Sequence, residues 1–251
     1  MEIKFKKQYK TELAKTLSGH WYSVTETSKR GKKVKESFLG HFPSVTTILQ
    51  SYPFSEQLVR WMSEKGFHES RELRDQAGFA GTQIHSAVEA LLSGAELLES
   101  SYKTEIWNKI DSFARWHSRY KPEIIALEIP VFSKSLGIAG RIDCVAKIND
   151  EVCVLDWKSS KNIHNSYYLQ LAAYSYALEE ITDLKIQNTA ILQMGASNKD
   201  RYRFVVEPDW ESNLEVFKAI QCTWEYDNRK EGQGKVIAPV LELPSKIKLE
   251  L

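Results

Sequence analysis

The spacing of apolar residues changes from a helical to a strand-like period about halfway along the chain. Between residues 69 and 93, Ile84, Val88, Leu91 and Leu92 form one apolar stripe at helical spacing. A helix is also predicted from SEQLVRWMSEKG, where Ser55 is the candidate N-cap. Further helices are predicted at 102–120, 164–180 and 209–229.

Short apolar runs rich in β-branched residues predict the strands. The runs lie at 124–133, 137–148, 151–158, 188–195 and 201–207, and a hairpin is predicted from 21–27 and 36–42 around the turn SKRGKK. The tail at 237–251 has little regular pattern. Helices, a strand meander, a helix, two strands and a helix in that order predict an α/β or α+β fold, with a central mixed β-sheet flanked by helices.

Composition narrows the class of protein. No apolar run approaches the ~20 residues of a membrane span, so no membrane association is predicted. The three cysteines, Cys144, Cys153 and Cys222, have no CxxC spacing. This pattern predicts a reducing, intracellular compartment and argues against a metal site made of cysteines alone.

The net charge of +1 is unevenly distributed, because residues 1–35 contain ten Lys/Arg and three Asp/Glu. Two interpretations remain open for this basic segment. It is either a solvated terminus, or a patch that attracts phosphate backbones.

Three of the charged residues in the strand-like segment GRIDCVAKINDEVCVLDWK are unexpected in a packed sheet, namely Asp143, Asp156 and Lys158. If Asn149-Asp150 is a two-residue hairpin turn, Asp143 lies directly opposite Asp156, with Cβ atoms roughly 4.5–5.5 Å apart. Lys158 shares their face of the sheet because side chains alternate along a strand. The pattern therefore predicts a buried acidic pair beside a lysine.

Two explanations account for facing carboxylates in a poorly hydrated place. A bound divalent cation removes their repulsion, and hard oxygen ligands favour Mg²⁺ or Mn²⁺. Alternatively, Arg141 faces Lys158 in the same register, and the four charged groups form an ion-pair network without catalytic function.

The motifs in this region resemble the PD-(D/E)XK nuclease superfamily, and more narrowly its RecB-type branch. The branch has Gly-x-x-Asp, Asp-x-Lys and Gln-x-x-x-Tyr in this order, matched here by Gly140 and Asp143, Asp156 and Lys158, and Gln170 and Tyr174. His85 matches an upstream helical histidine, and PSVTTILQ at 43–50 is similar to segments of mitochondrial and phage exonucleases of the branch. The resemblance covers roughly residues 43–180.

This resemblance implies a restriction-endonuclease-like core and roles for the matched residues. The implied metal ligands are His85, Asp143, Asp156 and the backbone carbonyl of Trp157. Lys158 would orient the attacking hydroxide and stabilise negative charge. Gln170 and Tyr174 would contact the DNA backbone or brace the site. Some relatives bind an iron–sulfur cluster through four cysteines, but the cysteine positions here imply no iron–sulfur cluster.

The function implied is a Mg²⁺- or Mn²⁺-dependent DNA exonuclease acting on single-stranded DNA or DNA ends. The alternatives are a structure-specific endonuclease and an inactive nucleic-acid-binding recombination module. A replication or recombination protein is an expected partner. The expected location is the cytoplasm of a bacterial or phage-infected cell, with mitochondria left open. One nuclease domain is predicted, with a basic hairpin region at 1–54, a helical region at 55–120, the catalytic sheet and helix at 121–206, and a C-terminal helix and tail at 207–251.

Several further side chains are candidates with a competing structural explanation. The candidate nucleic-acid contacts are Trp61, Arg60, Arg141, Ser44 and Thr46, although aromatic residues at helical spacing more often belong to a core. His85 could instead pair with Glu89 on a helix surface. Glu128, on the strand before the acidic pair, is either a supporting carboxylate or an exposed strand residue.

Overall fold

The computed structural model describes residues 3–16, 19–30 and 33–229, and it begins with a three-stranded antiparallel sheet. The strands are β1 (Gln8–Thr16), β2 (Gly19–Arg30) and β3 (Lys33–Pro43). The hairpin predicted from the sequence is β2–β3. Its predicted six-residue turn is wrong, because the strands stay paired from Ser28–Lys35 to Arg30–Lys33. β1 was not predicted, since its residues QYKTELAKT lack an apolar run.

Six helices occur within the described residues. They are α1 (Val45–Ile48), α2 (Glu56–Lys65), α3 (Phe67–Leu92), α4 (Thr104–Tyr120), α5 (Asn165–Ile181) and α6 (Trp210–Asn228). The predicted cap is confirmed, because Ser55 Oγ accepts a hydrogen bond from the Leu58 N–H at 3.2 Å. None of these helices is long and apolar enough to cross a membrane.

The central sheet has five strands in the order of the chain. They are β4 (Glu123–Ser133), β5 (Ile138–Ile148), β6 (Glu151–Lys158), β7 (Asn188–Met194) and β8 (Tyr202–Glu207). All neighbours are antiparallel except β6 and β7, which run parallel because α5 forms the crossover between them. The predicted mixed sheet flanked by helices is confirmed. The C-terminal tail at 237–251 lies outside the described residues.

Alternation along the strands separates two hydrophobic layers. Val145 and Val154 belong to the layer that includes α5, α6 and residues of the N-terminal sheet. Cys144 and Leu155 face the layer that includes α3 and α4. β7 is buried at all seven positions, as expected for a strand covered on both faces. Two helical layers therefore enclose the sheet, and a side chain's position along its strand decides which one it meets.

The turn between β5 and β6 has the geometry that its two residues predict. Asn149 and Asp150 have φ values of 51° and 70°, which a tight hairpin turn of this kind requires. The register then runs from Ile148–Glu151 to Cys144–Leu155. The next positions in this register are Asp143 and Asp156, where the ladder ends.

The half-buried carboxylate of Glu180 on α5 binds the turn between β4 and β5. Glu180 accepts hydrogen bonds from the Ser133 hydroxyl at 2.6 Å, the Lys134 N–H at 2.9 Å, the Ser135 N–H at 3.3 Å and the Ser135 hydroxyl. Burial opposes ionisation of Glu180, but these hydrogen bonds outweigh it and lower its pKa.

We predict that Glu180→Gln lowers the free energy of unfolding by about 2 kcal/mol at pH 7, since hydrogen bonds to a charged acceptor contribute about 1.5–3 kcal/mol. The folded-state pKa of Glu180 is depressed, so this stabilisation is present above its unfolded pKa. It disappears as the pH falls through the lower folded-state value. Urea unfolding at pH 7 and pH 3 should show a difference from wild type that shrinks in acid. Glu215→Gln, an exposed control on α6, should change little at either pH. An equal destabilisation at both pH values would contradict the assignment.

Candidate active site

The two aspartates meet where β5 and β6 stop pairing. Asp143 Oδ2 accepts a hydrogen bond from the Trp157 N–H at 3.2 Å, so this carboxylate takes the place of a ladder acceptor. Asp156 is almost fully buried, with 4% of its surface exposed. Burial raises the pKa of Asp143 well above its usual range, and the negative charge of Asp156 raises it further. The predicted acidic pair is therefore present and poorly hydrated.

Lys158 lies beside this pair. Its Nζ is 2.9 Å from Asp156 Oδ1 and 2.8 Å from Asp156 Oδ2, and it donates to Gln170 Oε1 at 3.3 Å. Burial lowers the pKa of Lys158, but attraction to Asp156 and Asp143 outweighs burial, and the net shift is upward. The lysine is therefore held as an ammonium with three oxygen neighbours.

The motif residues on α5 form a brace that ends at the glycine of β5. Gln170 Nε2 donates to the Tyr174 hydroxyl at 3.1 Å. The Tyr174 ring lies against Gly140, where an added Cβ would be only 2.3 Å from Tyr174 Cε1. Glycine is required here for close approach rather than for an unusual φ. The contacts support the bracing interpretation of Gln170 and Tyr174.

His85 reaches the site from α3. Its Nδ1 is 3.7 Å from Asp143 Oδ2, and its ring packs edge-on against Trp157 with centroids 6.4 Å apart. A hydrogen bond with the Trp157 backbone raises the pKa of the imidazole, but burial has the larger effect. Burial lowers the pKa of His85, which favours the neutral, metal-ligating form. The alternative pairing with Glu89 on the helix surface is wrong, because His85 faces Asp143.

Glu128 is the site residue that sequence reasoning left undecided. It has a φ of 49°, rare for a non-glycine strand residue, although Leu127 and Ile129 on either side of it pair with β5. Its Oε2 is 3.4 Å from Arg141 Nη1. No sequence signal foretells this backbone conformation, which brings Glu128 to the site.

Three side chains could hold a metal ion. His85, Glu128 and Asp143 each offer one ligand atom, and these atoms lie within 4.8 Å of one another. Two ligands of Mg²⁺ on opposite sides of the ion are about 4.2 Å apart, so small side-chain rotations suffice. The two carboxylates are the hard oxygen ligands that Mg²⁺ and Mn²⁺ prefer, and the imidazole is better suited to Mn²⁺ than to Mg²⁺. The donor set therefore fits the predicted cation.

Asp156 lies directly beside Lys158, and its role as a metal ligand stays a prediction. Both of its carboxylate oxygens contact Lys158, and it is outside the group of three ligand side chains found among the described residues. The reason is local, because Asp156 and Lys158 are two residues apart on the same face of β6. The ion-pair network considered from the sequence is only partly formed, since Arg141 pairs with Glu128 across β4 and β5.

The predicted nucleic-acid contacts divide into exposed and buried residues. Arg60 is exposed on α2, where it pairs with Glu56 at 2.9 Å, and Trp61 beside it is half-buried. Arg141 is half-exposed at the rim of the site. Ser44 is buried and its Oγ accepts from the Thr47 N–H, which makes it the N-cap of α1. Burial and the capping interaction argue against a direct DNA contact of Ser44, and its role as a DNA contact stays an untested prediction. Thr46 is exposed, and its hydroxyl is 2.8 Å from that of Ser44.

Comparisons with known proteins show which proteins this chain is similar to. Residues 96–212 match the model of the PD-(D/E)XK nuclease superfamily. The chain is 34% identical over 152 residues to mitochondrial genome maintenance exonuclease 1 of Mus musculus, covering 54% of this chain and 44% of that protein. It is 29% identical over 161 residues to the Homo sapiens protein of the same name, covering 58% and 46%.

The resemblance inferred from the motifs is thereby confirmed, and the matched region contains Asp143, Asp156, Lys158, Gln170 and Tyr174. The chain spans less than half the length of these curated relatives. A solved structure, of SSO0001, is 15% identical and covers 71% of this chain and 84% of that chain, with a TM-score of 0.31. That likeness is too low to carry an argument.

We predict that Glu128→Gln weakens Mn²⁺ binding at least about tenfold, because the amide removes the negative charge from one of three ligands. Isothermal titration of Mn²⁺ into the free protein at pH 7.5 measures this directly. Glu207→Gln on β8 is the matched control and should bind Mn²⁺ as wild type does. Unchanged affinity in Glu128→Gln would exclude Glu128 from the metal site.

We predict that Gly140→Ala lowers the free energy of unfolding by about 1–3 kcal/mol, because the new methyl group overlaps the Tyr174 ring. Gly78→Ala on α3 is the control, since nothing lies within 4 Å of the added Cβ. Denaturant unfolding of Gly140→Ala, Tyr174→Leu and the double variant should show non-additivity, because removing the ring relieves the overlap. Additive effects would show that the two positions are not in contact.

Proposed function

We propose that this chain, in which residues 96–212 form a PD-(D/E)XK nuclease region, is a metal-dependent deoxyribonuclease that degrades single-stranded DNA from an end. One observation carries the proposal. Three candidate metal ligands and a buried lysine–aspartate pair converge on the end of the hairpin formed by β5 and β6. The relatives named as exonucleases support the choice of reaction.

Each side chain has a role in phosphodiester hydrolysis. His85, Glu128 and Asp143 would hold the divalent cation, with Asp156 and the Trp157 carbonyl as the further ligands implied by the motif. When bound there, the cation would supply Lewis-acid chemistry, namely polarisation of the scissile phosphate and a lower pKa for a water molecule. Lys158 orients the attacking hydroxide and offsets the negative charge that develops on the phosphate. Gln170, braced by Tyr174, keeps the Lys158 ammonium in place.

Exposed aromatic residues in the helical region before the sheet support the choice of single-stranded DNA as the substrate. Between residues 56 and 80, all of which the structure describes, Ser70 is the one buried residue. Phe67 and Phe79 are about two-thirds exposed there, and Trp61 is half-buried. Aromatic side chains of this kind stack on unpaired bases, each stack contributing about 1–3 kcal/mol. α3 continues from this exposed segment to His85, so a strand held by the aromatics leads to the site.

The basic N-terminal segment contributes less to DNA binding than its positive charge suggests. Lys7 pairs with Glu26 at 2.9 Å and Lys10 with Glu12 at 2.7 Å, so acidic neighbours offset part of the positive charge. For these residues the solvated interpretation is favoured over a phosphate-binding patch. A replication or recombination partner, the single-domain organisation and the cellular location stay predictions.

We predict that linear single-stranded DNA is degraded in Mg²⁺ or Mn²⁺ and is stable in EDTA, whereas a closed circular single strand resists cleavage. Lys158→Ala should lower kcat about 100- to 1000-fold and leave Mn²⁺ affinity largely unchanged. Asp156→Asn should also abolish cleavage. Lys161→Ala, an exposed neighbour on the following loop, is the matched control and should retain activity. Efficient cutting of the circle would favour the endonuclease, and DNA binding without any cleavage would favour the inactive binding module.

A further inference from the structure

The ammonium of Lys158 has an aromatic neighbour that no motif of the nuclease region includes. Lys158 Nζ lies 4.6 Å from the centroid of the Tyr167 ring. A cation within about 6 Å of the face of an aromatic ring is attracted by the ring quadrupole, and the attraction strengthens as water is removed. Lys158 is largely buried, with 19% of its side chain exposed, so this contact lies in the stronger part of that range.

Tyr167 shares a face of α5 with the two bracing residues. Tyr167, Gln170 and Tyr174 are spaced three and four residues apart, so they line one side of the helix. One helix thus presents a ring, an amide and a phenol towards β5 and β6. The Tyr167 ring and the Gln170 amide contact the Lys158 ammonium directly, and the Tyr174 hydroxyl accepts a hydrogen bond from the Gln170 amide.

The Tyr167 ring is itself fixed by the loop that follows Lys158. Its hydroxyl donates to Ser160 Oγ at 3.3 Å, and Ser160 Oγ donates to the Asn162 carbonyl at 2.8 Å. The His164 ring packs edge-on against Tyr167, with centroids 5.3 Å apart and planes at 90°. A ring held at its hydroxyl and at its side has a defined orientation, as a positioning contact requires.

We propose that Tyr167 is a positioning residue, whose ring face holds the Lys158 ammonium in the orientation needed for phosphodiester hydrolysis. The inference rests on the proposed function, because it assigns Tyr167 a part in the work of Lys158. A lysine is a point charge on a flexible four-carbon stem, so its direction must be set by its neighbours. Asp156 and Gln170 supply two of them, and the ring supplies a third.

Base stacking is the competing role for an aromatic residue at this place. The proximity of the ammonium argues against it, because one face of the Tyr167 ring is already in contact with Lys158. The two roles also differ in kinetics. Loss of a stacking platform weakens DNA binding and raises KM, whereas misdirection of Lys158 lowers kcat.

The test compares steady-state kcat and KM on a linear single-stranded oligonucleotide in Mg²⁺. Tyr167→Phe keeps the ring face and should retain kcat within about threefold. Tyr167→Leu removes the ring and should lower kcat about 2- to 30-fold, the range spanned by a cation–π contact, with KM unchanged. Tyr168→Leu, which removes the neighbouring ring on α5, is the matched control and should leave kcat as in wild type.

A second series separates ring electronics from ring shape. Phenylalanines with one, two and three fluorine atoms at position 167 keep the shape but progressively weaken the quadrupole, so log kcat should fall with each fluorine. This series remains decisive if Tyr167→Leu does not fold. Equal kcat across the fluorinated series, or a change confined to KM, would overturn the proposal. Lys158→Ala measured alongside separates the two hypotheses, because full activity of that variant would instead refute the proposed function.

Discussion

The structure depends on the burial of two carboxylates and one ammonium at the end of a β-hairpin. Charged groups removed from water are costly unless they are paired and hydrogen-bonded. Here Lys158 contacts both oxygens of Asp156, and the Trp157 N–H donates to Asp143. The raised pKa of Asp143 shows that pairing does not fully offset its burial. A bound dication would supply the missing positive charge, which is why this pocket suits a metal-dependent reaction.

The surrounding elements hold these groups from two sides of the sheet. α5 packs on one face and directs Gln170 to Lys158, while α3 lies in the other layer and brings His85 to Asp143. A site at the end of the β5–β6 ladder is accessible to both layers because strand pairing has ended there. The side chains of the candidate site thus come from strands and helices, which fix their geometry better than loops do.

Backbone strain at one position serves the same site. Glu128 has a φ of 49°, a left-handed conformation that costs a non-glycine residue roughly 1–3 kcal/mol. The surrounding strand pairing maintains it, and the result is a carboxylate within reach of both Arg141 and the His85–Asp143 pair. The two halves of α3 differ in burial, because the second half is packed in the core while the first half is exposed. The same helix that fixes His85 therefore also presents residues to the solvent.

The order of the elements from α2 to α6, the β5–β6 register and the motif residues follow from local sequence. The Asn149–Asp150 turn sets the pairing of its two strands, and alternation then assigns every side chain to a face. Helical spacing likewise places Gln170 and Tyr174 together. These are short-range properties of neighbouring residues, so they can be predicted from the amino-acid sequence alone.

Contacts between distant segments needed the folded chain. Glu128 entered the site through an unusual φ, Asp156 paired with Lys158, and Ser44 was buried as a helix cap. Tyr167 met Lys158 only because the crossover helix packs back on β6. Each outcome depends on how separate elements approach one another in space. The spacing of residues along the chain does not determine the distances between such elements.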